Sequence, residues 1–247
     1  MQQKRRNSTD IFYAKDLAYI HDAGFRDYSL NASPGLLGVF RRNGVNSGLV
    51  VDLGCGSGRW AGELIRHGYD VYGIDRSRAF LTIARRVAPS ARFAAGSLWN
   101  ASLPPCVAVT ALGECLNYEP GGDRARLFSR VRNALRPGGV FIFDSAGPDR
   151  IAENGAGKLW TEGRDWAVLV EKQGDRRRAV LTRRIICFRK SGGGYRRSEE
   201  IHRQALYEPA AVLQELSRAG FEARQVNAYG RFRLPEGISG FIARRVE

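Results

Sequence analysis

Eight residues near the start of the chain, VDLGCGSG at positions 51–58, constrain the fold more than any other segment. Residues 49–53 form a short apolar run typical of a buried strand, and Asp52 lies near its end. Glycines at 54, 56 and 58 follow, and glycine readily adopts positive φ and lets the backbone approach a ligand closely. The segment therefore predicts a strand, a nucleotide-binding turn and then a helix.

The spacing of the glycines narrows the type of nucleotide. Turns that bind dinucleotides carry GxGxxG, which seats a pyrophosphate on a helix N-terminus. Here the third glycine comes one residue early and Arg59 stands in its place, which disfavours an NAD-dependent oxidoreductase. A second apolar run at 70–75 ends in Asp75, and a carboxylate at that position can accept both hydroxyls of an unphosphorylated ribose.

Together, VDLGCGSG and VYGIDRS resemble the first two cofactor motifs of the class I S-adenosylmethionine-dependent methyltransferases. The likeness is close over residues 48–145, and it is greatest to the small-molecule branch with an N-terminal lid and a late β-rich insertion. The resemblance implies S-adenosyl-L-methionine as cofactor, S-adenosyl-L-homocysteine as product, and no metal. It implies cofactor contacts for Asp52, Gly54, Cys55, Gly56, Gly58, Asp75, Arg76, Ser97, Leu98, Leu112 and Gly113.

The same resemblance assigns roles within this set. Asp52 would lie near the cofactor's ammonium group, Asp75 would bind the ribose hydroxyls and Arg76 would flank the adenine. The chain departs from the family at Ser97, where an Asp usually accepts the adenine amino group, and the amide of Leu98 remains available to the ring. It departs again at Val107, where an acid is common.

Short apolar runs alternate with amphipathic segments of about ten residues, a pattern that predicts parallel βαβ units. We expect an α/β fold with a Rossmann-like, seven-stranded, mostly parallel sheet and helices on both faces. The expected organisation is one structural domain with a helical lid at 1–45, a core at 46–149 and 208–247, and an antiparallel β-rich cap insertion at 150–207.

The expected elements follow this scheme. Helices fill 10–45, with a break around Ser33, Pro34 and Gly35. The expected core strands are 49–53, 70–75, 91–95, 107–112 and 140–144, and the helices among them are 59–67, 77–87 and 123–135. The later strands are 166–171, 179–190, 195–207, 221–229 and 238–245, with a helix at 209–219.

Two polar side chains are candidates for catalysis. Glu114 follows the fourth strand at the sheet edge where ligands bind in open α/β folds, and it is a candidate general base or orienting group. His202 lies on the last strand of the insertion. The alternatives are a capping or cofactor contact for Glu114 and a structural role for His202.

Candidate substrate contacts are Tyr13, Tyr19, His21, Asn117, Tyr118, Arg203 and Tyr207, with ordinary packing as the alternative for the lid residues.

The chain is strongly basic, with a formal net charge of +14. Residues 172–203 carry eleven Lys or Arg side chains against three acidic ones. A solvated face, an RNA partner and an acidic small substrate all fit this pattern, and the solvated face is favoured.

Cysteine usage and hydropathy indicate which further kinds of site and location are disfavoured. Cys55, Cys106, Cys115 and Cys187 are scattered without a CxxC pair, which predicts reduced thiols rather than disulfides or a zinc site. The sequence shows no apolar run of bilayer length and no signal peptide, so we expect a cytoplasmic protein without membrane association. The oligomeric state is left open.

The resemblance thus implies methyl transfer to a small molecule, with a nitrogen or oxygen acceptor favoured over carbon. The sulfonium methyl is already electrophilic, so the protein has chiefly to hold a nucleophile in line and exclude water. An RNA methyltransferase that uses the Arg-rich insertion and a non-catalytic module that binds S-adenosylmethionine are the alternatives. The absence of an NPPY-like tetrapeptide and of a Pro-Cys nucleophile argues against DNA base methylation as the family's relatives perform it.

Overall fold

A seven-stranded sheet forms the centre of the protein in a computed structural model that describes residues 12–118, 121–153 and 155–246. Its strands are β1 (Gly48–Leu53), β2 (Tyr69–Asp75), β3 (Arg92–Ala95), β4 (Cys106–Ala111), β5 (Leu135–Ala146), β10 (Phe221–Val226) and β13 (Ile238–Arg245). The helices are α1 (Lys15–Gly24), α2 (Asp27–Arg42), α3 (Arg59–Arg66), α4 (Arg78–Val87), α5 (Arg124–Ala134) and α6 (Pro209–Arg218).

The strand order is β10-β13-β5-β4-β1-β2-β3. Strands β1 to β5 are parallel, whereas β13 runs antiparallel to both of its neighbours. This confirms the predicted fold class. Because β1 lies between β2 and β4, the chain reverses its direction across the sheet after β3, and such a reversal opens a crevice at the carboxyl ends of the strands.

The sheet is covered on both faces, which explains why its strands read as continuous apolar runs. Val50 of β1 packs into one cluster with Phe40 and Leu64, from α2 and α3. The next residue, Val51, points to the opposite face and packs with Phe128 and Leu216, from α5 and α6. Burial on two sides therefore fixes the register of the strand that leads into the glycine turn.

The predicted helix break around Ser33, Pro34 and Gly35 is wrong, because α2 runs through all three residues. The break lies earlier, between α1 and α2. A Cβ at Gly35 would lie 2.0 Å from the carbonyl oxygen of Tyr229, so this glycine allows close packing of the helix against a strand. Ser33 donates a hydrogen bond to the carbonyl of Ser29 one turn back, which keeps its polar side chain satisfied inside the helix.

The insertion forms a separate four-stranded antiparallel sheet in the order β6-β7-β8-β9, called the cap sheet below. Its strands are β6 (Ala156–Gly163), β7 (Trp166–Asp175), β8 (Val180–Ser191) and β9 (Gly194–Ala205). The sequence prediction missed β6, an edge strand that is largely exposed and gives no clear alternation. A two-stranded hairpin, β11 (Ala228–Tyr229) and β12 (Phe232–Arg233), lies between β10 and β13.

Helix α1 packs on the cap sheet, with Leu17 and Ile20 against Trp166, Val168 and Ile185. The cap sheet and α1 therefore cover the crevice at the strand ends together. Over the described ranges, the structure contains no helix with the length and apolarity needed to cross a bilayer.

Candidate active site

Three neighbouring cavities occupy the space between the strand ends, α1 and the cap sheet. The turn cavity borders the glycine turn and the end of β2. The junction cavity, of about 310 Å³, extends from Asp52 to Glu114. The cap cavity, of about 260 Å³, lies between α1 and the inner face of the cap sheet. Tyr13 and His21 line all three, so the cavities adjoin one another at these side chains.

The glycine turn is tied to β2 by its backbone. The amides of Gly54 and Cys55 both donate to the carbonyl of Ile74, and the three glycines have φ of +67°, +53° and +75°. A Cβ at Gly56 would meet no atom within 4 Å, and Gly56 lines the turn cavity. A Cβ at Gly58 would lie 2.9 Å from Cβ of Ala84 instead, so this glycine permits helix packing. The turn thus offers open backbone surface at Gly56.

Asp75 closes the other side of the turn cavity at the end of β2. Its carboxylate accepts a hydrogen bond from the amide of Gly56 at 2.9 Å and another from the amide of Ser77 at 2.8 Å. Burial raises the pKa of Asp75, while these two amides lower it. A carboxylate has about four lone-pair positions, so this side chain retains the capacity to accept hydroxyl donors.

The far end of the turn cavity has a mixed polar and aromatic lining. Arg76 lies over the ring of Phe12 at 5.2 Å, and Ser97 accepts a hydrogen bond from the amide of Trp99 at 3.2 Å. Phe80 and Leu98 complete the apolar walls. This arrangement can hold a flat ring between apolar surfaces, with backbone groups at its edge.

Asp52 is a buried acid between the turn and the junction cavity. Its carboxylate accepts a hydrogen bond from the hydroxyl of Thr110 at 2.7 Å. Burial raises the pKa of Asp52 to about 7, and the neighbouring Asp75 carboxylate raises it further, against the effect of the Thr110 hydrogen bond. A cationic group in the junction cavity would stabilise the ionised form of this side chain.

Asp144, at the end of β5, is a second buried acid, which sequence reasoning missed. It accepts hydrogen bonds from the amides of Gly113 and Glu114 and from the hydroxyl of Tyr28. Burial raises the pKa of Asp144 to about 6, although these three donors lower it. An acid at the end of an apolar strand, as in VFIFD, was the available signal. Its contacts fix the loop that carries Gly113 and Glu114.

Glu114 lies at the junction of the cavities with a left-handed backbone, at φ +60°. Such strain costs of order 1–3 kcal/mol and persists only where the surroundings enforce it. The carboxylate contacts the guanidinium groups of Arg150 at 3.4 Å and Arg183 at 3.2 Å, and it accepts from the amide nitrogen of Gln204 at 3.1 Å. Glu114 therefore joins the core loop to the cap sheet.

His202 is fully buried behind Tyr13 rather than in the lining of the three cavities. Its Nε2 lies 2.8 Å from a carboxylate oxygen of Glu200, which also accepts from the amides of Tyr13 and Ala14. The ring of His202 lies 5.0 Å from that of Tyr13 and 5.6 Å from that of Tyr118. These contacts hold Tyr13 at the cavity wall.

His21 faces all three cavities from α1. Its ring packs edge-on against Tyr13 at 5.3 Å and Phe80 at 5.4 Å. Burial lowers the pKa of His21 to about 4, with an opposing effect from Asp22 and a further lowering by Arg183. The imidazole is therefore neutral at neutral pH and can accept a hydrogen bond.

Four other predicted substrate contacts do not line these cavities. Tyr19 donates to Asp165 on the cap sheet and lies under Arg189. Tyr207 packs under the guanidinium of Arg124 at 3.8 Å, and Arg203 is exposed on β9. Asn117 is buried and donates to the carbonyls of Ala146 and Ala205. By contrast, Tyr118 lines two of the cavities, and its hydroxyl lies 3.0 Å from that of Tyr13.

Comparison with known proteins finds similarity to methyltransferases in sequence and in fold. Residues 50–139 match the family model described as a methyltransferase domain. A protein of Geobacillus sp. (strain WCH70) that carries a methyltransferase name is 26% identical over 190 residues, which are 72% of this chain and 76% of the relative.

Two solved structures share the fold at low sequence identity. An S-adenosylmethionine-dependent methyltransferase from Clostridium acetobutylicum ATCC 824 superposes with a TM-score of 0.81 at 20% identity, covering 93% of this chain and 98% of the other. CalS10 of Micromonospora echinaspora, an amino pentose methyltransferase with S-adenosylmethionine bound, gives 0.74 at 19% identity, covering 96% and 99%. Residues 50–139 thus carry a methyltransferase domain, and the chain shares the fold of solved S-adenosylmethionine-dependent methyltransferases.

Proposed function

We propose that the protein transfers the methyl group of S-adenosylmethionine to a nitrogen or oxygen atom of a small molecule bound in the cap cavity. The observation that carries this proposal is that Tyr13 and His21 line both the turn cavity and the cap cavity, so the two cavities adjoin each other. The cap cavity lies under α1 and the cap sheet, which suits a compact acceptor kept away from water. The similarity to an amino pentose methyltransferase supports the same class of acceptor.

The residues of the turn fit the cofactor. Gly56 leaves open the space that a Cβ would fill, and Asp75 retains lone pairs for the ribose hydroxyls. The amide of Leu98 is proposed for the adenine edge, and Asp52 for the ammonium group. The cofactor supplies an electrophilic methyl group on its sulfonium.

The chain's own task is then to hold and orient the acceptor. The neutral His21 imidazole can accept a hydrogen bond from an N–H or O–H of the acceptor and so orient it. The hydroxyls of Tyr13 and Tyr118 lie beside it at the cavity wall. Glu114 and His202, which the sequence singles out for catalysis, are proposed as positioning residues for Arg183 and Tyr13.

Calorimetry with S-adenosylhomocysteine tests the cofactor half of the proposal. Asp75→Asn should weaken binding by about 2 kcal/mol, because the ribose hydroxyls lose a charged acceptor. Asp70→Asn is the matched control, since Asp70 is exposed near the start of the same strand, and it should bind as the wild type does. Equal affinities in the two variants would reject the assignment of Asp75.

Incubation with radiolabelled S-adenosylmethionine and a fractionated metabolite extract tests turnover. We expect label in a low-molecular-weight fraction. Binding of S-adenosylhomocysteine without labelling of any fraction would favour the non-catalytic module, and label in RNA would favour the RNA methyltransferase. On the outer face of the cap sheet, Arg184 pairs with Glu171 and Glu199, which reduces the positive charge that this side chain offers to RNA.

A further inference from the structure

The inner face of the cap sheet carries positive charge that the described residues balance only in part. Lys172 on β7 stands directly opposite Arg183 on β8, and both line the cap cavity. Like charges directly opposite each other on neighbouring strands destabilise a sheet. Arg150 reaches the same cavity from the loop after β5 and adds a third cation.

Among the described residues that line the cap cavity, Glu114 is the one carboxylate, and it pairs with Arg150 and Arg183. Over the described residues, Lys172 makes no salt bridge, and the buried Nε atoms of Arg150 and Arg183 have no hydrogen-bond partner. Burial and the two guanidinium groups lower the pKa of Lys172. Three cations thus face one carboxylate around the cap cavity.

The outer face of the same sheet shows that this imbalance is local. Arg184, next to Arg183 in sequence, contacts the carboxylates of both Glu171 and Glu199. Arg197 contacts Glu199 as well, and Lys158 on β6 lies 3.5 Å from Glu171. Each of these exposed cations contacts a carboxylate, whereas Lys172 on the inner face has no such contact among the described residues.

We propose that the methyl acceptor carries an anionic group, a carboxylate or a phosphate, that binds between Arg150, Lys172 and Arg183 in the cap cavity. The inference rests on the proposed function, because it defines the acceptor of that same site. An anion at this place gives Lys172 a partner and offsets the repulsion between Lys172 and Arg183. Guanidinium and ammonium donors both make short, charge-assisted hydrogen bonds to such oxygens.

The direct test is anion binding by the full-length protein saturated with S-adenosylhomocysteine. Inorganic phosphate and acetate are titrated separately at constant ionic strength, with chloride as the balancing salt. We expect saturable binding of at least one of them, and the tighter of the two identifies the acidic group. Lys172→Met should weaken that binding about tenfold or more.

Lys158→Met is the matched control, because Lys158 occupies the neighbouring strand and has an 83% exposed side chain. It should bind both anions as the wild type does. Thermal unfolding gives a second measurement, since Lys172→Met removes a repulsive charge and should leave the ligand-free protein at least as stable as the wild type.

Affinity for S-adenosylhomocysteine separates this inference from the proposed function. Unchanged cofactor affinity in Lys172→Met together with lost anion binding supports the anion subsite. Absence of anion binding in the wild type, or equal anion binding in the two lysine variants, overturns the subsite and leaves the cofactor assignment standing. Absence of binding of S-adenosylhomocysteine to the wild type would overturn the proposed function itself.

Discussion

The turn cavity and the cap cavity are built by different means. In the turn cavity, the backbone supplies the donors to Asp75, which accepts from the amides of Gly56 and Ser77. In the cap cavity, side chains from β7, β8 and two loops satisfy one another only in part. A site formed by backbone groups depends on the fold and suits a ligand that stays the same among related proteins. A site formed by long side chains can change its ligand through substitutions that leave the fold unaltered. The difference suits a constant cofactor and a specific acceptor.

His21 lines both the turn cavity and the cap cavity, and its substitution is expected to have the largest effect. His21→Ala should reduce methyl transfer to the labelled fraction about a hundredfold, because the acceptor loses its hydrogen-bond partner. Affinity for S-adenosylhomocysteine should change only a few-fold. His67→Ala is the control, since His67 lies exposed at the end of α3. Proportional loss of turnover and cofactor affinity would assign His21 to cofactor binding alone.

The turn itself is tested by adding a single methyl group. Gly56→Ala should weaken binding of S-adenosylhomocysteine about thirtyfold, because the new Cβ enters the space proposed for the cofactor. Gly44→Ala is the matched control. Gly44 has a φ of +69° and Gly56 one of +53°, and a Cβ added at Gly44 would also meet no atom within 4 Å. The two variants should lose similar stability. Equal cofactor affinity in both would contradict the proposed position of the turn.

The buried acid of the turn predicts a pH dependence. Asp52 has a pKa of about 7, and the cofactor's ammonium group should lower that pKa in the complex. Binding then releases a proton, so affinity for S-adenosylhomocysteine should rise with pH up to about pH 7, by at most about tenfold per pH unit.

Calorimetry in buffers of different ionisation enthalpy measures the released proton directly. Asp52→Asn should bind more weakly and remove the pH dependence between about pH 6 and pH 8. An unchanged pH profile in this variant would place the ammonium group elsewhere.

A smaller effect is expected at the residue that joins the two regions. Glu114→Gln removes the carboxylate from Arg150 and Arg183, so the affinity of the anion subsite should rise roughly fivefold. Affinity for S-adenosylhomocysteine should stay near the wild-type value. Separate titrations with the anion and with S-adenosylhomocysteine measure the two affinities. If Glu114 contacts the cofactor instead, the cofactor affinity falls and the anion affinity does not rise.

The smallest effect is expected on the outer face of the cap sheet. Arg184→Gln breaks exposed ion pairs, which contribute little to stability. Its melting temperature, anion affinity and cofactor affinity should all match the wild type within error. Weakened binding of mixed tRNA at low salt in this variant would instead favour the RNA alternative.

The sequence predicts the first region better than the second for a physical reason. The turn depends on glycines and on acids at strand ends, and both are visible in the chain as residue types at fixed spacing. Asp144 follows the same rule as Asp52 and was missed because no glycine turn adjoins it. Pro34 was misinterpreted as a break because the close approach of Gly35 to Tyr229 is a tertiary contact.

The cap cavity depends on pairing that the chain does not display. Lys172 and Arg183 become neighbours only through the register of β7 and β8, and an edge strand such as β6 has too little alternation to be found. The sequence shows the excess positive charge of residues 172–203, but it does not show which of these side chains lie on the inner face of the cap sheet and which on the outer face. His202 carried a chemical signal, yet its burial behind Tyr13 follows from packing alone.

A crystal structure of the protein with S-adenosylhomocysteine would show whether the turn cavity holds the cofactor. We expect the ribose hydroxyls within hydrogen-bond distance of the Asp75 carboxylate, with the backbone of Gly56 beneath the ligand. The sulfur atom should face His21, where the turn cavity adjoins the cap cavity. A ligand bound elsewhere, or a ribose that makes no contact with Asp75, would contradict this expectation.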